Sequence, residues 1–121
     1  RAASALSPDL VRYEQRREWS EGLAKYVELA IWQAAATSAA YEPIDAVTAD
    51  PWFKGYAGSF EQRWSQEVDQ IRRMAGDSGD GRFYYSGWAQ AVLLDRLMPG
   101  WKQAATEGAP LEVLLSEVVG P

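Results

Sequence analysis

Glu21 heads the residues whose type and spacing could do chemistry. It stands in Trp19-Ser20-Glu21-Gly22-Leu23-Ala24-Lys25-Tyr26, amid further carboxylates at Glu14, Glu18 and Glu28. Tyr84-Tyr85, just ahead of Ser86-Gly87, adds two phenolic hydroxyls. Carboxylates can ligate a metal or carry protons, and phenols can donate a hydrogen bond to developing negative charge. The missing residue types narrow the options. His and Cys are both absent, which excludes Ser-His-Asp and Cys-His nucleophiles, zinc fingers and disulfides. Neither G-x-x-x-x-G-K-[ST] nor G-x-G-x-x-G occurs, so the phosphate loops those patterns build are absent too. Gly76-Asp77-Ser78-Gly79-Asp80-Gly81 sets acids beside glycines, but Gly79 stands where a calcium loop needs an oxygen ligand. Turn chemistry accounts for that stretch. Pairs such as Glu14/Glu18 or Glu21/Glu28 have the composition of a glycosidase dyad, but nothing raises them above a solvated helical stripe.

The elements that must position these residues read as helices throughout, with no alternating strand pattern and no internal repeat. Ser7-Pro8-Asp9 is a helix start, with Ser as cap and Pro in the first turn. The first helix runs from Pro8 to about Arg17. Hydrophobic phase then changes near Glu18–Ser20, which predicts a break or kink, followed by a second helix to about Ala39. On helical spacing Trp19, Leu23, Tyr26, Val27, Ala30 and Ala34 share the inward side. Glu14, Arg17, Glu18, Glu21, Lys25 and Glu28 share the other, read as a wet stripe with Glu21 and Lys25 as an i,i+4 pair. Residues 41–58 form a long loop, with Ile44, Val47, Trp52, Phe53 and Tyr56 expected to pin it to the core. Ser59-Phe60-Glu61-Gln62 reads as a capping box. It opens a helix with Phe60, Trp64, Val68, Ile71 and Met74 inward, and a solvated polar face. Arg82–Met98 is apolar on nearly every side and is therefore placed at the centre. Pro99-Gly100 ends it. A short helix from Trp101 follows, and Pro110 opens the last, with Leu111, Leu114, Leu115 and Val118 inward. The sum is one all-α domain of about five helices around a buried central helix.

Trp19-Ser20-Glu21-Gly22-Leu23-Ala24-x-Tyr26 resembles the W-x-E-G-x-A-x-Y helix of gluzincin-type zinc metallopeptidases. The resemblance implies that Glu21 is the third zinc ligand. In that family two His of an upstream H-E-x-x-H helix supply the others, and the family's catalytic tyrosine, which stabilises the oxyanion beside zinc, would fall on Tyr84 or Tyr85. This chain departs from the family in having no His, and only twenty residues precede Glu21. The resemblance therefore implies the C-terminal helical part of a longer metallopeptidase. That part would supply one ligand and a wall of the peptide-binding cleft, partner an upstream segment bearing H-E-x-x-H, and hold no zinc alone. Gly22 fits this picture, since a helical Gly costs about 1 kcal/mol against Ala and signals a close backbone neighbour. An upstream zinc helix is one such neighbour, and internal packing is the other.

Composition sets the remaining bounds. At 121 residues and 47% hydrophobic content the chain can bury one core. Its net charge is −5 and its cations sit beside acids, so no basic patch for nucleic acid emerges. No apolar run reaches the length of a membrane span. A second function class stays open: a non-catalytic helical interaction domain with Trp52, Trp88 or Trp101 at a partner groove.

Overall fold

The computed structural model describes residues 6–53, 55 and 57–120. Helix α1 spans Pro8–Arg17, and a π-helical turn, Glu18–Gly22, joins it without interruption to α2, Leu23–Thr37. The one-turn α3 is Asp45–Thr48, α4 is Ala57–Met74, α5 is Gly81–Leu97, α6 is Trp101–Thr106 and α7 is Leu111–Val119. The fold is all-α, and among the described residues there is no strand. Ser7 caps α1 as its sequence implies, its hydroxyl accepting from the Leu10 amide at 3.4 Å. Gly100, at φ 90°, takes the left-handed turn between α5 and α6.

α5 is the central helix. Phe83, Gly87, Trp88, Ala91 and Leu94 are buried along one stripe. Leu93 and Leu97 are about half exposed, so α5 is central without being enclosed. The segment α1–π-turn–α2 runs beside it in the same direction. Hydrogen bonds join Tyr13 to Asp80, Arg82 to Glu14, Ser86 to Glu18 and Tyr26 to Asp95, always 67 to 69 residues apart. The core around the C-terminal end of α5 is Ala91, Leu94, Trp101, Ala105, Leu111 and Leu114, with Leu23, Tyr26 and Leu115 against it. Trp64 of α4 meets Trp88 edge to face at 5.2 Å between centroids.

Several expectations are corrected. The phase change at Glu18–Ser20 is no break. A π-turn admits one extra residue into a continuous helix and advances the following faces by about 100°. Leu23 and Tyr26 do face the core, but the buried positions are Gly22 of the turn with Lys25 and Leu29 of α2, while Val27 (49% exposed), Ala30, Ile31 (65%) and Ala34 point outward. The expected wet stripe is partly interior, with Glu18 and Lys25 buried, and so is the polar face of α4 at Glu67. Lys25 pairs with Glu67 at 2.9 Å and Glu28 at 3.3 Å rather than with Glu21, and Arg63 closes on Glu67 at 2.6 Å. Two cations on one carboxylate are what allow Glu67 to leave water. Val68 is half exposed instead of inward. Ser59 lies inside α4, donating to the Gly55 carbonyl at 2.8 Å, and is not its cap. In the 41–58 stretch Ile44 and Trp52 are exposed and pin nothing, and Tyr56 lies outside the described residues.

Asp95, to which the sequence assigned no role, ties α2, α5 and α6 together. It accepts from the Tyr26 hydroxyl at 2.8 Å and the Trp101 indole at 3.0 Å, and pairs with Lys102 at 3.2 Å. Burial pushes its carboxyl up, but the bonds from Trp101, Tyr26 and Lys102 outweigh that and hold it below the usual carboxylate value. A depressed carboxylate stabilises the fold above its unfolded pKa, and that contribution is lost as pH falls through the folded value. Asp95→Ala is expected to cost about 1–2 kcal/mol at neutral pH, discounted for the partial exposure of the site. In urea melts the gap from wild type should close as pH drops below about 4.

Candidate functional site

The π-turn is the local feature from which the site is built. Gly22 and Gly87 meet where it crosses α5. A Cβ on Gly22 would overlap the Gly87 backbone and lie 2.9 Å from the Trp88 amide nitrogen. One on Gly87 would overlap the Glu18 carbonyl and lie 2.8 Å from Gly22 Cα. The close neighbour of Gly22 is thus α5, which the sequence reading had allowed as internal packing. π-turns within α-helices occur frequently at functional positions.

With backbones this near, carboxylates of the turn fall on opposite sides. Glu18 points inward, only 2% exposed, and its Oε1 accepts from Ser86 Oγ at 2.7 Å. Beside it, Arg82 bonds Glu14 at 2.8 Å and the Asp77 carbonyl at 3.1 Å. Glu14, Glu18, Ile71, Arg82, Phe83 and Ser86 line a cavity of about 270 Å³ there.

Glu21 points outward and meets Tyr84. Interaction of the Tyr84 hydroxyl with the nearby Glu21 carboxylate, then that carboxylate's charge and slight desolvation, raises the phenol above its usual pKa. Tyr84 therefore stays a protonated donor at neutral pH. Arg17 holds the other flank, with Nη1 2.9 Å from Glu21 Oε1 and Nη2 3.2 Å from Asp80. Tyr13 donates to Asp80 at 2.8 Å. Glu21 keeps 18% of its side chain exposed and Tyr84 is 39% exposed, so solvent reaches both.

The structure thus brings together two of the three residues singled out from the sequence, Glu21 and Tyr84. Tyr85 lies apart, on the α4 side. Its ring is 5.9 Å from Lys25 Nζ, and burial followed by the charge of Glu67 raises its hydroxyl's pKa. It belongs to the buried ion cluster of Lys25, Arg63 and Glu67. The sequence reading missed Glu18 with Ser86 and Lys25 with Glu67. These polar residues lie on faces that ordinary helical spacing turns to solvent; the phase change before Gly22 was the one signal for Glu18 and Lys25, and Glu67 had none.

Glu21 fits a metal as a single ligand, being an accessible carboxylate oxygen donor. The chain's other residues do not complete the set. His and Cys are absent, and among the described residues no three His, Cys, Asp or Glu are grouped to hold a metal ion. No described helix is long and apolar enough to cross a membrane. Comparison with protein-family models, with curated proteins and with solved structures finds no match.

Proposed function

We propose that this chain is the C-terminal helical part of a gluzincin-like zinc metallopeptidase, contributing one zinc ligand and a wall of the peptide cleft. The observation that carries the reading is the placement of Glu21, on the π-turn and inside the E-G-x-A-x-Y sequence, beside Tyr84 of α5, with both reached by solvent. Two further ligands would come from an upstream segment bearing H-E-x-x-H. The chemistry such a metal supplies when bound is polarisation of a carbonyl and of a water. This chain's own part is narrower. Glu21 offers a carboxylate whose orientation Arg17 fixes. Tyr84 keeps its proton and can turn its hydroxyl from Glu21 to the oxygen of a substrate carbonyl. Tyr85, drawn into the ion cluster, is left out of the mechanism.

The test is zinc content and peptidase activity of the protein extended upstream, with and without Glu21→Ala and Tyr84→Phe. Stoichiometric zinc is expected, falling with Glu21→Ala. Tyr84→Phe should keep the zinc and lower kcat by about 10²–10³-fold, the usual effect of losing one oxyanion donor. An extended wild-type protein that holds no zinc ends this reading.

A second reading, a non-catalytic helical interaction domain, draws on different surface. Trp88 and Trp101 are buried and cannot form its groove, whereas Trp52 is 84% exposed and α2 presents Val27 and Ile31 to solvent. Absence of zinc from the extended protein would leave this reading standing.

A further inference from the structure

A second concavity lies on the opposite flank of the π-turn, between α1 and the connection from α6 to α7. Its volume is about 590 Å³, and Arg12, Gln15, Arg16, Trp19 and Pro110 are among its lining residues. That size falls in the range of small-molecule pockets, roughly 300–1,000 Å³.

Helical spacing explains the lining. Arg12 and Arg16 are one turn apart, as are Gln15 and Trp19, so α1 and the π-turn present cations and an indole to the same space. The indole is fixed in place, its Nε1 donating to the Ala105 carbonyl at 2.8 Å. With the nitrogen occupied, what remains for a ligand is the apolar ring, with Pro110 as a second apolar wall. Gln15 is held by Glu112 at 3.3 Å. Among the described residues Arg12 bonds to Asp9, in a pair 64% and 87% exposed, a weak contact that a ligand can displace. Arg16 forms no ion pair with any described residue. Two guanidinia lining one pocket with an indole stand out in a chain of net charge −5.

We propose that this pocket binds a monocarboxylate with a flat apolar body, its carboxylate on the Arg16 and Arg12 guanidinia and its body against Trp19 and Pro110. Guanidinium meets carboxylate through two parallel hydrogen bonds, a geometry that a neutral amide does not reproduce. The same chemistry is offered by a free small acid or by the C-terminus of a peptide ending in an aromatic residue. The inference uses neither Glu21 nor zinc and stands apart from the peptidase reading.

The test titrates the 121-residue chain with 3-phenylpropionate, with 3-phenylpropanamide as the neutral comparator, following the indole N–H resonances by NMR. Saturable binding with Kd below about 1 mM is expected, localised by the shift of the resonance that disappears in Trp19→Phe. The amide should bind at least about fivefold more weakly, and Arg16→Ala should weaken the acid by a similar factor, with partial recovery in Arg16→Lys. Because Arg16 is exposed, these variants should fold, which a melt of each checks. Acetyl-Ala-Ala-Phe as free acid separates the sources. Tighter binding than phenylpropionate identifies a peptide carboxyl terminus, and weaker binding a free small acid. Equal affinity for acid and amide, an unchanged Arg16→Ala, or no saturation overturns the proposal.

Discussion

Gly87→Ala is expected to destabilise the chain by about 3 kcal/mol, at the upper end of overpacking costs. The added carbon would meet the Glu18 carbonyl, Gly22 Cα at 2.8 Å and the Glu18 carbonyl carbon at 3.0 Å, all of them backbone. No rotamer change relieves that overlap. α5 must move away from the π-turn, or the turn must reform as ordinary α-helix. Better helix propensity returns about 1 kcal/mol at most. Gly22→Ala should cost a comparable amount, and the double variant clearly less than the sum, because the first substitution already parts the helices. Gly58→Ala, in α4 with nothing within 4 Å of the new carbon, is the control and should be neutral or slightly stabilising. Urea melts of the four variants give the comparison. A Gly87→Ala protein as stable as wild type would mean that this crossing is looser than described.

The second large effect belongs to the buried ions. Lys25→Ala should cost about 3 kcal/mol, because it leaves Glu67, 3% exposed, with Arg63 as its remaining ionic partner. Lys25→Met with Glu67→Leu should lose much less than the two single changes together, since an apolar pair of similar volume removes both charges from the interior. Equilibrium unfolding of the two single variants and the double variant measures the coupling. Additive losses would show that Lys25 and Glu67 act independently, against the 2.9 Å contact between them.

What the sequence made legible follows from how each signal is encoded. The cap at Ser7, the stop at Pro99-Gly100, the central place of α5 and the all-α class rest on local chemistry or on apolar content, and each appears as read. The inward face of α2 depends on counting residues through Glu18–Gly22, and one inserted residue turned the count. Val27 and Ala30 then went outside, and Lys25 went in. Burial of Glu67 depends on a partner more than forty positions away in the chain, which no local pattern carries. For the candidate site the sequence named residues but not which of them are neighbours. Glu21 and Tyr84 meet, while Tyr85, next to Tyr84 in sequence, turns about 100° away around the helix into the ion cluster.

The near-constant offset of 67 to 69 residues between α1–α2 and α5 has a kinetic consequence. Two helices lying side by side in the same direction cannot be joined by a tight hairpin. The chain must travel back along α4 before the second helix can be laid beside the first. Contacts between them close a loop whose entropic penalty is met before any of the Gly22–Gly87 packing is gained. The α5–α6–α7 end, whose buried core residues are near in sequence, closes much shorter loops and is expected to form before α1–α2 docks. Once that loop is closed, its length matters little. Each doubling adds only about 0.6 kcal/mol, and Ile44 and Trp52 in the connection after α2 are exposed. The chain can thus vary in length there while the crossing of the π-turn and α5 stays as it is.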